Sequence, residues 1–176
     1  LGNGSFSKNN DIYYDYEGIL ASNKINVRHR VGDTWTIKKP LADKSSICKR
    51  FEKNLSDMKS VLRFLQKEWQ VNIEFLEEVV TLNTKRTKYR LSCYGGEFEL
   101  AFDETIPEKD AIDYSPSYMI EVELKKGSSA GLYFINKVLL QFPFLEECNL
   151  SKKDIVLNTI EREKAVSRQR VKAYQD

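Results

Sequence analysis

Apolar and polar residues alternate with a period of two along six segments, which is the signature of strands with one buried face. Residues 24–31, KINVRHRV, place Ile25, Val27, His29 and Val31 on one face and Lys24, Asn26, Arg28 and Arg30 on the other. After the turn residues Gly32 and Asp33, TWTIKK sets Trp35 and Ile37 opposite Thr36 and Lys38, which predicts a hairpin. Residues 46–53 oppose Ile47 and Phe51 to Arg50 and Glu52, and residues 84–92 oppose Tyr89 and Leu91 to Arg86, Lys88 and Arg90. Beyond Gly95 and Gly96, EFELAFD opposes Phe98, Leu100 and Phe102 to Glu97, Glu99 and Asp103. YMIEVELK then opposes Tyr118, Ile120, Val122 and Leu124 to Glu121, Glu123 and Lys125.

Two segments change to helical period. Met58, Val61, Leu62, Leu65 and Trp69 share one face behind Ser56 as the predicted cap, and Leu132, Ile135, Val138, Leu139 and Phe142 share another, ahead of Pro143. A charged stretch, 158–176, predicts a peripheral helix, and residues 1–10 are expected to be a disordered or added start. The whole chain, 1–176, reads as one domain of α+β class, with the two amphipathic helices covering the apolar face of an antiparallel sheet.

The other face of that sheet collects charge. An open sheet would show it to water; a closed barrel would enclose it as a charged lumen. Arginine dominates three of the strands, and its fork suits phosphate oxygens. The acids gather on the two late strands, and carboxylates beside guanidiniums form a hard-cation site next to a polyanion site. These two features favour the barrel. Composition sharpens the picture: 28 basic and 26 acidic residues among 176 nearly cancel, so any anion site comes from local clustering, and no field of the kind that binds nucleic acid is expected. No apolar run reaches the roughly 18 residues of a membrane span. Cys48, Cys93 and Cys148 are odd in number and widely spaced, with no zinc or disulfide pattern, which fits a cytoplasmic protein.

In order and spacing, these motifs resemble the CYTH family of the triphosphate tunnel metalloenzymes, the group that holds thiamine and inorganic triphosphatases and class IV adenylyl cyclases. "DIYYDYEGILASNKINVRHRVGDTWTIKKP" resembles the family's Tyr-Tyr-Asp, R-x-R and T-x-K strands in turn. "CKRFE", "TKRTKYRL", "EFELAFDE" and "IEVELKK" resemble its R-x-E, Arg-bearing, Asp-ending and late E-x-E strands, and "LSKKD" its Ser-Lys element. The resemblance implies an eight-stranded antiparallel tunnel. It implies that Arg28, Arg30, Lys38, Arg50, Arg86 and Lys152 hold a triphosphate, and that Glu121 and Glu123, with Glu52, Glu99 and Asp103 behind them, bind Mg²⁺ or Mn²⁺. Family members open with an E-x-E-x-K strand, whereas the ten residues before Asp11 contain no acid. That strand is expected either to be lost from this chain or to be lacking in this member.

The activity implied is metal-dependent hydrolysis of a small-molecule triphosphate: inorganic, thiamine or nucleoside triphosphate. An adenylyl cyclase and a non-catalytic polyphosphate-binding or nucleotide-binding module are the alternatives. No residue is assigned as catalytic, neither nucleic acid nor membrane is an expected partner, and a homodimer is a possible assembly. His29 alternates with Arg28 and Arg30 and so is read as packing, and of Tyr13 and Tyr14 one alone can face the charged side.

Overall fold

The structure, a computed structural model, describes residues 4–41 and 49–173, with side chains as far as 166. Ser46, Ile47 and Cys48, predicted to open the third strand-like segment, lie outside the described residues. Along the chain come β1 (Ser5–Asp15), α1 (Ile19–Ser22), β2 (Asn26–Arg30), β3 (Trp35–Pro40), β4 (Arg50–Leu55), α2 (Met58–Trp69), β5 (Glu77–Cys93) and β6 (Gly96–Lys109). They are followed by β7 (Ile112–Asp113), β8 (Ser117–Gly127), α3 (Ala130–Leu139) and α4 (Lys152–Ala173). The strands form one antiparallel sheet in the order β4-β3-β2-β1-β5-β6, with β7 and β8 both pairing β6.

Residues 5–10 correct the expectation of a disordered start. They are the first half of β1, which stands between β2 and β5 and carries the pairing of both halves of the sheet. Their polar sequence hides this, because the first half of the strand is largely exposed and burial begins at Asp11. At its far end β1 turns through Asp15, whose buried carboxylate accepts hydrogen bonds from the N–H groups of Tyr16 (2.7 Å), Leu20 (2.8 Å) and Ala21 (3.0 Å). One acid thus satisfies two backbone donors that the short α1 leaves open, and that of Tyr16 ahead of it.

Alternation divides the sheet as predicted. Tyr14, Val27 and Ile37 meet Val61 and Leu65 of α2 on one face, with Trp35 and Trp69 at the margin, and Phe98 and Leu100 meet Ile135 of α3 farther along. His29 stacks on Trp35, with centroids 4.8 Å apart. The α2 helix starts one residue later than its sequence suggests: Asp57 is the cap, accepting from Ser60 N–H at 2.7 Å, while Ser56 donates to Asp57 at 2.8 Å. Among the described residues no helix is long and apolar enough to cross a membrane.

The predicted barrel does not close. Among the described residues β4 and β8 end the sheet, and neither pairs with the other. The reason lies in the charged face itself, which is not charged throughout. Tyr13, Val80 and Leu82 form an apolar patch on it, and Val156 and Ile160 of α4 cover that patch. The last helix is therefore longer than predicted, and its first turns roof the sheet on the side opposite α2 and α3. A β-bulge between Tyr13 and Tyr14 lets both tyrosines be buried, Tyr13 under α4 and Tyr14 under α2.

Close approach of α3 to the sheet rests on Gly131. A Cβ there would lie 2.8 Å from Phe98 Cε2 and nearer still to Cζ, and Phe98 is fully buried. Gly131→Ala is expected to lower stability by about 1–3 kcal/mol through overpacking. Urea unfolding measures this, and an unchanged midpoint would show that the helix sits more loosely than described.

Candidate functional site

The charged face is organised around two buried carboxylates. Asp11 of β1 lies opposite Arg30 of β2, and Arg30 donates Nε to Oδ1 at 2.7 Å and Nη2 to Oδ2 at 2.9 Å. Arg28 donates Nη1 to the same Oδ2 at 3.4 Å, and its Nη2 donates to Thr36 Oγ1 at 3.2 Å. Its Nε is buried and has no hydrogen-bond partner among the described residues. On the other side of β1, Asp103 of β6 accepts from Arg86 of β5, Nε to Oδ1 at 2.6 Å and Nη2 to Oδ2 at 2.5 Å. Lys152, at the start of α4, donates to the same Asp103 Oδ2. Arg86 Nη2 also donates to Glu121 Oε2 at 2.6 Å.

These contacts join the predicted cations into a row. Lys38 of β3 bridges Glu52 at 3.0 Å, and Arg50 of β4 reaches the same carboxylate at 3.5 Å. The Lys38 ammonium is held below the ordinary lysine value, first by burial and then by Arg28 and Arg50, with Glu52 opposing. Arg30 in turn feels the charge of Arg86. Arg50, Lys38, Arg28, Arg30, Arg86 and Lys152 therefore run in electrostatic contact across the face, from β4 to α4, and the structure brings together all six residues expected to hold a polyanion. Lys88 and Arg90 lie farther along β5, where Lys88 bridges Glu99 at 3.0 Å and Arg90 is exposed.

Burial pushes the Asp103 carboxyl up, but its bonds to Arg86 and Lys152 outweigh that and hold it below the usual carboxylate range. Glu99 is lowered in the same manner, burial being outweighed by Lys88 and Lys125, and so is Glu52 by Lys38 and Arg50. Burial pushes the Tyr13 hydroxyl up to about 12, so it stays protonated at neutral pH. Sequence reasoning missed Asp11. Its signal was parity: Asp11 shares a strand face with Tyr13, opposite the R-x-R pair it neutralises.

The five acids expected to bind metal are dispersed. In the sheet order five strands separate Glu52 from Glu121 and Glu123, and Glu52 is bound to Lys38 and Arg50. Asp103 is enclosed by Arg86 and Lys152, Glu123 pairs with Lys125 at 2.9 Å, and Glu99 lies opposite Glu123 on the neighbouring strand. Among the described residues no group of three or more His, Cys, Asp or Glu side chains could hold a metal ion. The donors do not fit a metal cage built from protein alone. Glu121 and Glu123 share a strand face, and were a hard cation to bind between them it would have to draw its remaining ligands from phosphate and water, as Mg²⁺ commonly does. A cavity of about 530 Å³ lined by Phe6, Phe102, Tyr118 and Phe144 is set among outward side chains of the opposite face, where Lys85 and Glu104 bridge each other at 3.1 Å, and it includes no member of the cation row.

A family model for the CYTH domain matches residues 4–157. The chain belongs to the CYTH family. The matched span includes β1 from its first residue and ends within α4, so every strand of the sheet falls inside it. No curated protein matches this CYTH chain significantly. Nine solved chains do. One is the crystal structure of a provisionally assigned adenylate cyclase from Bacillus halodurans, 15% identical, covering 84% of this chain and 80% of its own, with a TM-score of 0.45.

Removing the charge beneath the row has a defined effect. Asp103→Asn leaves Arg86 and Lys152 facing a neutral group and is expected to cost about 3 kcal/mol or more at pH 7. Because the folded-state pKa of Asp103 is lowered, its contribution is complete above the unfolded value near ~4 and is lost as pH falls through the folded value. Urea midpoints of wild type and variant should therefore converge as pH falls below about 4; a gap independent of pH would show that the loss is one of packing rather than charge.

Proposed function

We propose that this CYTH domain binds a triphosphate along its cation row and hydrolyses it with a divalent cation, the triphosphate being inorganic or carried by thiamine or a nucleoside. The observation that supports this reading is the row itself, above all the buried Arg28 Nε with no partner and Lys38 held between two other cations. Cations placed side by side destabilise one another until an anion lies across them. A triphosphate is linear and polyanionic, and suits a line of six donors better than a single phosphate does.

In this reading Arg28 and Arg30, fixed by Asp11, and Arg86, fixed by Asp103, present their remaining N–H groups to phosphate oxygens, while Lys38, Arg50 and Lys152 add point charges. Glu121 and Glu123 would hold Mg²⁺ or Mn²⁺, which neutralises charge developing on the phosphate oxygens during transfer to water. Arg86 and Lys125, which pair with those carboxylates, would have to yield them for the ion to bind. No described side chain is assigned as the general base.

A second reading, binding without turnover, is favoured by the dispersal of the acids among ion pairs. Turnover of tripolyphosphate, thiamine triphosphate and ATP in Mg²⁺ or Mn²⁺ separates the readings: phosphate release supports hydrolysis, tight binding with no product supports the module, and cyclic AMP from ATP marks a cyclase. The lowered pKa of Lys38 gives binding a pH signature. Affinity for tripolyphosphate should be highest while Lys38 is charged and should fall as pH rises through its pKa, below the ordinary value near ~10.4. Lys38→Arg should abolish that fall, and an identical profile in the variant would remove Lys38 from the site.

A further inference from the structure

The α3 helix is apolar on both of its sides. Gly131 and Ile135 are buried against the sheet, while Tyr133, Phe134 and Val138 are exposed, and its polar side chains are Asn136 and Lys137. A helix with so little polar surface is ordinarily covered all round. On its exposed side Phe134 stacks on Tyr94, with centroids 4.6 Å apart, and meets Tyr133 edge to face at 5.7 Å. Beyond α3 the chain stays in tight turns, Phe142 N–H donating to Leu139 O at 3.1 Å and Leu145 N–H to Phe142 O at 3.0 Å. Phe142 and Phe144, 5.8 Å apart and both exposed, continue the apolar surface. Phe144 and Leu145 then form one wall of the cavity lined by Tyr118, Phe102 and Phe6, so an aromatic ridge and an apolar groove adjoin.

Size and charge say what covers this face. Tyr94, Tyr133, Phe134, Phe142, Phe144 and Tyr118 are between 44% and 78% exposed. At about 200 Å² for a whole aromatic side chain they leave on the order of 700 Å² in water, above the roughly 300–600 Å² of the largest patch on a monomer and near the roughly 800 Å² that each partner gives to a standard interface. Lys137 stands on the ridge, its Nζ 4.6 Å from the Tyr133 ring centroid, and Glu146 and Glu147 are exposed just past the groove wall. None of these three has an ion pair among the described residues. A cation in one part of a patch and acids in another suit a two-fold contact, in which each copy meets its opposite. The same acids oppose an anionic membrane surface.

We infer that this face is the interface of a homodimer, in which a second copy, related by a two-fold axis, lays its α3 ridge in the groove beside Phe144 while Lys137 meets the partner's Glu146 or the partner's Glu147. The cation row lies on the opposite face of the sheet, so both rows stay open, and the dimer stands apart from the triphosphate reading.

Sedimentation velocity of the full chain over a range of concentrations tests this. The wild type is expected to form a reversible dimer with a dissociation constant of roughly 1 μM or tighter. Val138→Glu and Phe144→Glu each put a charge into the contact and should weaken association about a hundredfold or more. Lys137→Glu should weaken it about tenfold, and the reversal Lys137→Glu with Glu146→Lys and Glu147→Lys should restore it. If circular dichroism shows that Val138→Glu does not fold, Phe144→Glu, at a position 78% exposed, is read in its place. A wild-type chain that is monomeric at ~100 μM overturns the inference, with or without binding to vesicles of anionic lipid. A dimer that these glutamates leave intact uses another surface and overturns it equally, and a triple variant no tighter than Lys137→Glu alone overturns the two-fold pairing.

Discussion

Six cations lie side by side on one face of a small sheet because two carboxylates are buried beneath them. Asp11 stands on β1 and Asp103 on β6, each accepting a two-pronged arginine and each reached by a second cation. Without them the row would be a line of mutual repulsion on a partly desolvated surface. With them Arg30 and Arg86 are each held by a two-pronged carboxylate, and the fork geometry decides which edge is consumed. Arg30 gives Nε and Nη2 to Asp11; Arg28 gives only its Nη groups, to Asp11 and Thr36, and keeps Nε. A guanidinium has five N–H donors, so a carboxylate that takes two of them orients the rest instead of using the group up.

The same constraint explains why the sheet is roofed rather than closed. Charged residues occupy the β2, β3 and β4 portion and the β5–β6–β8 portion, but between them Tyr13, Val80 and Leu82 are apolar and require a cover. Val156 and Ile160 of α4 provide it, and because Lys152 starts the same helix, the cover brings that ammonium to Asp103 at the rim of the charged region. Burial of one helix stripe and placement of the Lys152 ammonium are a single packing event. A change that loosens α4 from Leu82 therefore moves the Lys152 ammonium relative to Asp103 as well.

Much of this was legible in the sequence where period two was strong. The strands around Arg28, Lys38, Arg86, Glu99 and Glu121 declared both their existence and their charged faces, because each charged residue alternates with an aliphatic or aromatic one that meets α2 or α3. What was not legible has a common cause. The first half of β1, SFSKNN, is exposed on one face and no more than half-buried on the other, and so shows no apolar alternation, although its backbone is paired to β5 from Ser5 onward. The helix α4 was cut at residue 158 because its outer turns are highly charged. Its buried stripe, Lys153, Val156 and Ile160, straddles that cut, and a lysine inside an apolar stripe reads as a break in it.

The acids show where a residue pattern stops short of a site. Glu121 and Glu123 have the spacing of a carboxylate pair on one strand face, and the structure gives them that common face. Parity cannot say what occupies them, however, and each is matched to a cation, Arg86 and Lys125. An ion pair of this kind is exchangeable: Glu121 is one-third exposed and Glu123 about half, so solvent already weakens both bridges, whereas Asp103 beside them has none. Exposure therefore sorts acids that look alike in sequence, with Asp103 and Asp11 as permanent counter-charges that shape the arginines and Glu121 and Glu123 as carboxylates that can change partner. On the function proposed above, a polyanion arriving with its own cation would supply both replacements together, its phosphates meeting the arginine and lysine and its cation the glutamates. Neither exchange would then leave an unmatched charge behind.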